Sequence, residues 1–263
     1  MKWLFRLALF FILTVLTQVG GMIYLITLSL IRPKSQRSIK RLGTFVLLYA
    51  VSNLWLVPQL ARLAGREPVA KHTHLEAASF VTNLCFRNYV RPQLNEVLAA
   101  TADKVAQQYP VIKVHYLDAN FPFLNGFPLI PHLSHNDGKK VDLSFIYQDA
   151  DGKLVNEVPT VTGYGVFEAP KENEKDTAKE CEQSGYWQYS YARYLTMGTT
   201  HSQLSMNVKA TRYLLQSLLL SEEVGKVFLE PHLVKRTAVQ DARIRFHGCH
   251  AVRHDDHIHL QLR

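Results

Sequence analysis

The first 66 residues contain no aspartate and no glutamate, although they hold nine lysines and arginines. The rest of the chain has no such imbalance, with 21 basic against 22 acidic side chains. The net charge of +8 therefore belongs to the first quarter alone, and the remainder is not a basic surface for polyanions. We expect no nucleic acid among the partners. Internal repeats are also absent, and 47% apolar residues indicate an ordered chain.

Two long apolar stretches fill this first quarter. Residues 7–31 run without a charged side chain, and residues 42–61 do so again. Each is long enough to cross a hydrocarbon core of about 30 Å as a helix. Buried globular helices and a cleavable signal peptide are the alternatives, but no A-x-A site follows the first stretch. The sequence predicts that residues 1–66 form a two-helix transmembrane hairpin, which makes the lipid bilayer a partner.

A basic segment, residues 32–41, separates the two stretches. It contains five cations, Arg32, Lys34, Arg37, Lys40 and Arg41. Short loops rich in lysine and arginine stay in the cytoplasm, so both chain ends are expected on the other side. Two N-terminal cations, Lys2 and Arg6, argue weakly for the opposite orientation. The expected location is a bacterial inner membrane, with the C-terminal domain in the periplasm.

Residues 67–89 are interpreted as a linker leading into a domain that spans residues 90–263. Helical spacing of apolar residues predicts helices over 92–109 and 207–220, and Pro231 opens a short helix. Alternation predicts strands over 111–117, 142–147, 226–230, 242–246 and 257–262, and the polar residues 167–185 are predicted to be a surface loop. These elements follow no βαβ rhythm. The predicted fold class is therefore α+β, with a mainly antiparallel sheet and packed helices.

Cysteine is scarce, with Cys85, Cys181 and Cys249 in the whole chain. An odd count allows at most one intrachain disulfide. An oxidising compartment favours a bridge between Cys181 and Cys249, and buried free thiols are an equally good interpretation.

Histidine carries the chemistry of the sequence, and two segments stand out. Ser134-His135-Asn136-Asp137-Gly138 leads to Asp142, and His254-Asp255-Asp256-His257-Ile258-His259 lies near the end. On a strand, His257 and His259 would project from one face, with His254 entering from the preceding turn. Imidazole and carboxylate ligands with one open position form a hydrolytic zinc site. A surface histidine patch, or an adventitious metal site, is the alternative.

Other histidines are weaker candidates. His247-Gly248-Cys249-His250 could offer metal ligands, and His132 could line the cleft near His135, although a loop histidine is the plainer interpretation. The chain has no H-E-x-x-H motif, so a glutamate base of that kind is excluded.

The pattern S-H-x-x-G-x-x-V-D at 134–142, followed by H-x-x-H-x-H at 254–259, resembles the penicillin-insensitive murein endopeptidase family. That family belongs to the zinc peptidases that include lysostaphin, D-Ala-D-Ala carboxypeptidases and the hedgehog signalling domain. The resemblance covers roughly residues 90–263. It implies a fold of the hedgehog and D-Ala-D-Ala peptidase type. The chain departs from the family in its membrane segment and its few cysteines.

By this resemblance, His135, Asp142 and His259 would be zinc ligands, and His257 and His254 would act in catalysis. The implied enzyme is a zinc metallopeptidase that hydrolyses peptidoglycan cross-links between D-alanine and diaminopimelate. Two alternatives stay open. One is an inactive zinc-binding domain that recognises cell-wall peptide or a protein partner, and the other is a carboxypeptidase that acts on uncross-linked stem peptides.

Overall fold

A computed structural model describes residues 2–31 and 37–263, with the side chain of Arg37 outside the described part. The helices are α1 (Lys2–Thr17), α2 (Gly20–Leu30), α3 (Arg37–Val51), α4 (Val57–Leu63), α5 (Phe80–Leu84), α6 (Pro92–Gln108), α7 (Thr177–Gln183), α8 (Val208–Leu219) and α9 (Pro231–Thr237). The strands are β1 (Glu67–Pro68), β2 (Leu75–Ala77), β3 (Tyr89–Val90), β4 (Val114–Tyr116), β5 (Lys140–Ser144), β6 (Tyr147–Gln148), β7 (Leu154–Val155), β8 (Ser205–Met206), β9 (Val224–Phe228), β10 (Ile244–Arg245) and β11 (His257–Leu262).

The chain divides into two compact units. Unit 1 comprises Met1–Val69, Asn83–Pro92 and Ala119–Gly138, and unit 2 comprises Ala70–Thr82, Gln93–Asp118 and Lys139–Arg263.

In unit 1, a π-helical turn (Ser52–Leu56) joins α3 to α4, so that Ser38–Leu63 is one continuous helix. This helix bonds to the next segment of the unit. Tyr49 donates from its hydroxyl to the Leu84 carbonyl at 2.7 Å, and Asn53 donates from its amide to the Asn83 carbonyl at 2.9 Å. The core of the unit is a cluster of Val57, Ala61, Phe86 and Tyr89, against which Val19, Tyr49 and Phe123 pack.

The prediction of two membrane-spanning helices is wrong. Within residues 2–31 and 37–263, one helix, Ser38–Leu63, is long and apolar enough to cross a membrane. The first apolar stretch is broken at Gln18–Val19 into helices of 16 and 11 residues, because Gln18 adopts a left-handed conformation with φ of 64°. Of the cations in the basic segment 32–41, Arg32 and Lys34 lie outside the described residues.

Unit 2 is built on a six-stranded sheet of order β10-β9-β11-β5-β4-β2, beside a three-stranded sheet of order β7-β6-β8. Every residue of β5 is buried, and so are five of the six in β11. These central strands are therefore covered on both faces, and polar side chains on them can meet away from water.

The α+β class is confirmed, but the prediction of a mainly antiparallel sheet is wrong, because the sheet is mixed. Strand β10 pairs with β9 in parallel, and β2 pairs with β4 in parallel. Parallel neighbours need a crossover connection, which α9 provides between β9 and β10 and α6 provides between β2 and β4. Strand β2 has only three residues, and alternation gave no sign of it.

The helices predicted over 92–109, over 207–220 and from Pro231 are confirmed as α6, α8 and α9. Their start signals are visible in the structure: Asn207 caps α8 by accepting from the Ala210 amide at 2.9 Å. The predicted loop 167–185 contains helix α7, which begins after Asp176, whose carboxylate accepts from the Lys179 amide.

Candidate metal and catalytic site

The site in unit 2 is centred on the pairing of β5 with β11, which sets Asp142 directly opposite His259. His259 donates from Nδ1 to Asp142 Oδ1 over 2.9 Å. Both side chains are buried. A buried carboxylate is strongly unfavourable unless it is bonded or neutralised, so this pairing explains how Asp142 is tolerated in a central strand.

His257 reaches the same carboxylate from the same strand face, as the i, i+2 spacing predicts. Its Nε2 lies 3.7 Å from Asp142 Oδ1. Its Nδ1 donates to Asp256 Oδ1 over 2.5 Å, and the other oxygen of Asp256 accepts from the Gly165 amide over 2.7 Å. Asp256 therefore fixes the tautomer of His257 and leaves Nε2 as the nitrogen that faces Asp142.

Tyr164 bonds to the second oxygen of Asp142, to which its hydroxyl donates over 2.8 Å. Its ring also meets the His257 ring edge-on, with 5.1 Å between centroids. Tyr164 stands between Gly163 and Gly165, whose φ angles are 82° and 86°. A Cβ on Gly165 would lie 2.6 Å from the Ala192 carbonyl oxygen, so the turn that delivers Tyr164 requires glycine there.

Further imidazoles extend the cluster. The His254 ring centroid lies 5.0 Å from that of His257 and 5.7 Å from that of His259. Phe228, at the end of β9, stacks on the exposed His247 at 4.1 Å and contacts the rings of His254 and His259. Phe228 thus forms an apolar wall along the histidine cluster.

Burial and neighbouring charges shift the pKa values of His257 and His254 in opposite directions. Burial disfavours the imidazolium of His257, but the carboxylates of Asp142 and Asp256 outweigh burial and raise its pKa to about 9. Burial, with the neighbouring His257 and His259, holds the pKa of His254 well below its usual range. His254 is therefore neutral at pH 7. A cation bound to Asp142 would oppose the rise of the His257 pKa, because it would neutralise the carboxylate that is the largest single cause of that rise.

The segment that precedes β5 in the sequence holds two more histidines. In unit 1, His135 donates from Nδ1 to the Ala119 carbonyl over 2.7 Å, and the His132 and His135 ring centroids are 5.5 Å apart. A backbone carbonyl that holds Nδ1–H is the usual support of a metal-binding histidine, because it leaves Nε2 as the ligand nitrogen. His132, His135 and Asp142 are all buried, and each carries a nitrogen or oxygen atom of the kind that a metal ion binds.

Buried side chains that could bind a metal ion are therefore present, and they include His135 and Asp142 of the predicted ligand set. His132, which the sequence marked as a loop histidine, is buried as well. His259 itself is bonded to Asp142. The identity of the third ligand, and of the metal, stays a prediction.

A second set of buried polar contacts holds the turn before β11. Arg253 forms a two-pronged ion pair with Asp255, with distances of 2.6 Å and 2.5 Å, and its guanidinium lies 4.0 Å over the Phe167 ring. Glu230 accepts from the His254 amide over 3.1 Å and from the Tyr189 hydroxyl over 2.6 Å. These contacts fix the backbone that carries His254.

Cys181 and Cys249 form a disulfide, with 5.2 Å between their Cα atoms. The bridge attaches the turn after His247 to helix α7. Of the two interpretations that the sequence allowed, the structure has the bridge.

Sequence reasoning missed Tyr164, Asp256 and the pair of Arg253 and Asp255. The available signals were weak. Asp256 lies inside the histidine motif, and Tyr164 stands between two glycines in Thr162-Gly163-Tyr164-Gly165, a spacing typical of a tight turn.

No protein-family model matches the chain, and no curated protein is significantly similar to it.

Proposed function

We propose that the chain is a membrane-anchored zinc metallopeptidase that hydrolyses the peptide cross-links of peptidoglycan. The observation that carries the peptidase proposal is the buried Asp142, which is contacted by His259, His257 and Tyr164. Peptidoglycan as the substrate rests on the resemblance of 134–142 and 254–259 to the murein endopeptidases.

The residues present fit zinc. Imidazole nitrogens and a carboxylate oxygen are the ligands of catalytic zinc sites, and the Nδ1–H of His135 is already held by the Ala119 carbonyl. In this proposal His135, Asp142 and His259 hold the metal. Zinc, when bound, would polarise the scissile carbonyl and make a water molecule available as a nucleophile at neutral pH.

His257 is the proposed general acid and base. Its Nδ1–H is bonded to Asp256, so a proton is accepted or released at Nε2. The Asp256 carboxylate stabilises the imidazolium that forms when Nε2 takes a proton, as the aspartate of a catalytic triad does.

His254 has a different proposed role. Its low pKa keeps the imidazole neutral, so the ring can donate one hydrogen bond without carrying a charge. A donor beside His257 suits the negative charge that develops on the carbonyl oxygen of the substrate. Tyr164 holds the second oxygen of Asp142 and keeps this carboxylate oriented.

The proposed location is the bacterial inner membrane, with the catalytic domain in the periplasm. The helix Ser38–Leu63 supports the anchor by its length and composition. The bridge between Cys181 and Cys249 supports an oxidising compartment, because such disulfides do not persist in the cytosol.

The test uses the full-length protein in detergent, loaded with zinc, and cross-linked muropeptide dimers that carry a D-alanine–diaminopimelate bond. We expect the dimer to be split into two monomers, and chelation to abolish this activity. Release of a terminal D-alanine from monomers alone would support the carboxypeptidase instead. Zinc binding without hydrolysis of either substrate would support the inactive recognition domain, and absence of zinc binding would overturn the metallopeptidase.

A further inference from the structure

The first apolar stretch of unit 1 reverses its direction at Gln18–Val19. Thr14 and Thr17 donate from their hydroxyls to the carbonyls of Phe10 and Leu13, and the Thr17 hydroxyl also accepts from the Gly20 amide at 2.7 Å. Together with the left-handed Gln18, these bonds end α1 and start α2 at a new angle.

Helix α2 folds back along α1. A Cβ on Gly20 would lie 3.2 Å from the Leu13 carbonyl oxygen, and a Cβ on Gly21 would lie 2.8 Å from the Phe10 carbonyl oxygen. In a continuous helix, Gly21 and Phe10 would be separated by about 16 Å along the axis. Gly20 approaches Leu13, and the next residue, Gly21, approaches the earlier residue Phe10. The two helices therefore run in opposite directions and form a hairpin.

Helix α2 then runs alongside the helix Ser38–Leu63 in the opposite direction. Val19, at the start of α2, packs against the cluster that contains Val57 and Ala61. At the other end, the Arg41 guanidinium donates to the Ile31 carbonyl over 3.2 Å. The tip of the hairpin, at Gln18–Val19, therefore lies beside the C-terminal part of the helix Ser38–Leu63. The open end of the hairpin, at Ile31, lies beside the N-terminal part of the same helix.

The charges follow the same arrangement. Lys2 and Arg6 stand in the part of α1 furthest from Gln18, which is the open end of the hairpin where Arg41 bonds to Ile31. The side chains around the hairpin are apolar and exposed, as a hydrocarbon environment requires, and they include Phe5, Phe11, Ile12, Met22 and Leu30.

We propose that residues 2–31 are a helical hairpin that enters the lipid bilayer and leaves it on the same side, so that the N-terminus lies on the same side of the bilayer as Arg41. The chain then crosses once, along Ser38–Leu63. This inference rests on the proposed membrane anchor. Two membrane-spanning helices would put the N-terminus on the periplasmic side, whereas the hairpin puts it on the cytoplasmic side. All cations from Lys2 to Arg41 then lie on the cytoplasmic side, which removes the conflict between Lys2, Arg6 and the basic segment.

The test is the sidedness of single cysteines in the full-length protein, with Cys85 replaced by serine. One cysteine stands in a short Gly-Ser extension before Met1, a second is Ser35→Cys in the basic segment, and a third is Asp151→Cys in an exposed turn of unit 2. Each is treated with a membrane-impermeant maleimide in spheroplasts and in inside-out vesicles.

We expect the extension and Ser35→Cys to react only in inside-out vesicles, and Asp151→Cys to react only in spheroplasts. Reaction of the extension together with Asp151→Cys would overturn the hairpin and leave the anchored peptidase intact. Reaction of all three from one side would overturn both the crossing helix and the inference. An N-terminal epitope on the chain with its own Cys85, digested by protease in inside-out vesicles alone, gives the same result without the serine substitution.

Discussion

The two oxygens of Asp142 have different partners: Oδ1 accepts from His259 at 2.9 Å, and Oδ2 accepts from Tyr164 at 2.8 Å. The carboxylate is thus held from two elements that are far apart in the sequence, strand β11 and the Gly163–Gly165 turn. Such fixed ligands reduce the cost of ordering a metal site.

Metal binding and proton transfer should separate in variants of this site. Replacing Asp142 with alanine removes a proposed ligand, so zinc content measured by mass spectrometry should fall sharply. Replacing His257 with alanine should leave zinc in place and reduce muropeptide hydrolysis by about 10²- to 10⁴-fold, because a general acid and base is lost. A His257→Ala enzyme with normal zinc and normal hydrolysis would remove His257 from the mechanism.

Tyr164 should act on zinc affinity through Asp142. Tyr164→Phe keeps the ring against His257 and removes only the hydroxyl that bonds to Oδ2. Loss of such an outer partner lowers metal affinity by about 10- to 100-fold, which competition with a chromogenic chelator measures. Tyr194→Phe is the matched control, since Tyr194 is exposed. Equal affinities in the two variants would contradict a role for Tyr164 in holding the carboxylate.

The ion pair between Glu174 and Arg236 should make stability depend on pH. Arg236 donates to Glu174 over 2.5 Å and lowers the pKa of this carboxyl to about 2. Since the folded-state pKa lies below the unfolded one, the stabilisation is complete above about pH 5 and is lost as the pH falls toward 2. Glu174→Gln should lower the free energy of unfolding by about 1–3 kcal/mol at pH 7.

Urea unfolding at several pH values measures this effect, with Glu172→Gln at an exposed neighbouring position as control. The difference between Glu174→Gln and the parent should shrink steadily below pH 5. A difference that stays constant down to pH 3 would show that the ionised carboxylate is not the stabilising form.

A large side chain should not be tolerated at position 21, whereas it should be tolerated at position 43. A Cβ on Gly21 would come within 2.0 Å of the Thr14 hydroxyl and 2.8 Å of the Phe10 carbonyl, and a Cβ on Gly43 meets nothing within 4 Å. Gly21→Leu should therefore destabilise the protein in detergent by about 1–3 kcal/mol, and Gly43→Leu should have little effect. Thermal unfolding of both variants compares the same chemical change at the two positions, and equal melting temperatures would argue against the folded-back hairpin.

The strands and helices whose apolar residues follow a regular strand or helix spacing could be predicted from the sequence. Apolar spacing over 92–109 and 207–220 indicated helices α6 and α8, and the i, i+2 spacing of His257 and His259 placed both imidazoles on one strand face. Helix α7 was missed because it is short and polar, and its capping residue Asp176 lies within a run of charged residues.

The errors have physical causes in tertiary contacts. An uncharged run such as 7–31 contains nothing that distinguishes one span from two helices, and the break depends on the threonine hydroxyls and the conformation of Gln18. Tyr164 is 22 residues from Asp142, so no local pattern could pair them. His132 was set aside because a single loop histidine has no signal until the fold buries it.

Arg66 lies three residues after the helix Ser38–Leu63 and is almost completely buried. It binds the loop that carries His135. Its guanidinium donates to the Phe121 carbonyl, to the Asn125 side chain and to the Asn136 carbonyl. Gln18, at the hairpin tip, accepts from the Phe123 amide of the same loop over 2.8 Å. The hydrophobic segment is consequently a scaffold in addition to its proposed role as an anchor. A truncated, water-soluble version that starts after Arg66 would lose the internal supports of a proposed zinc ligand, so recombinant work on this protein calls for detergent or nanodiscs rather than deletion of the N-terminal region.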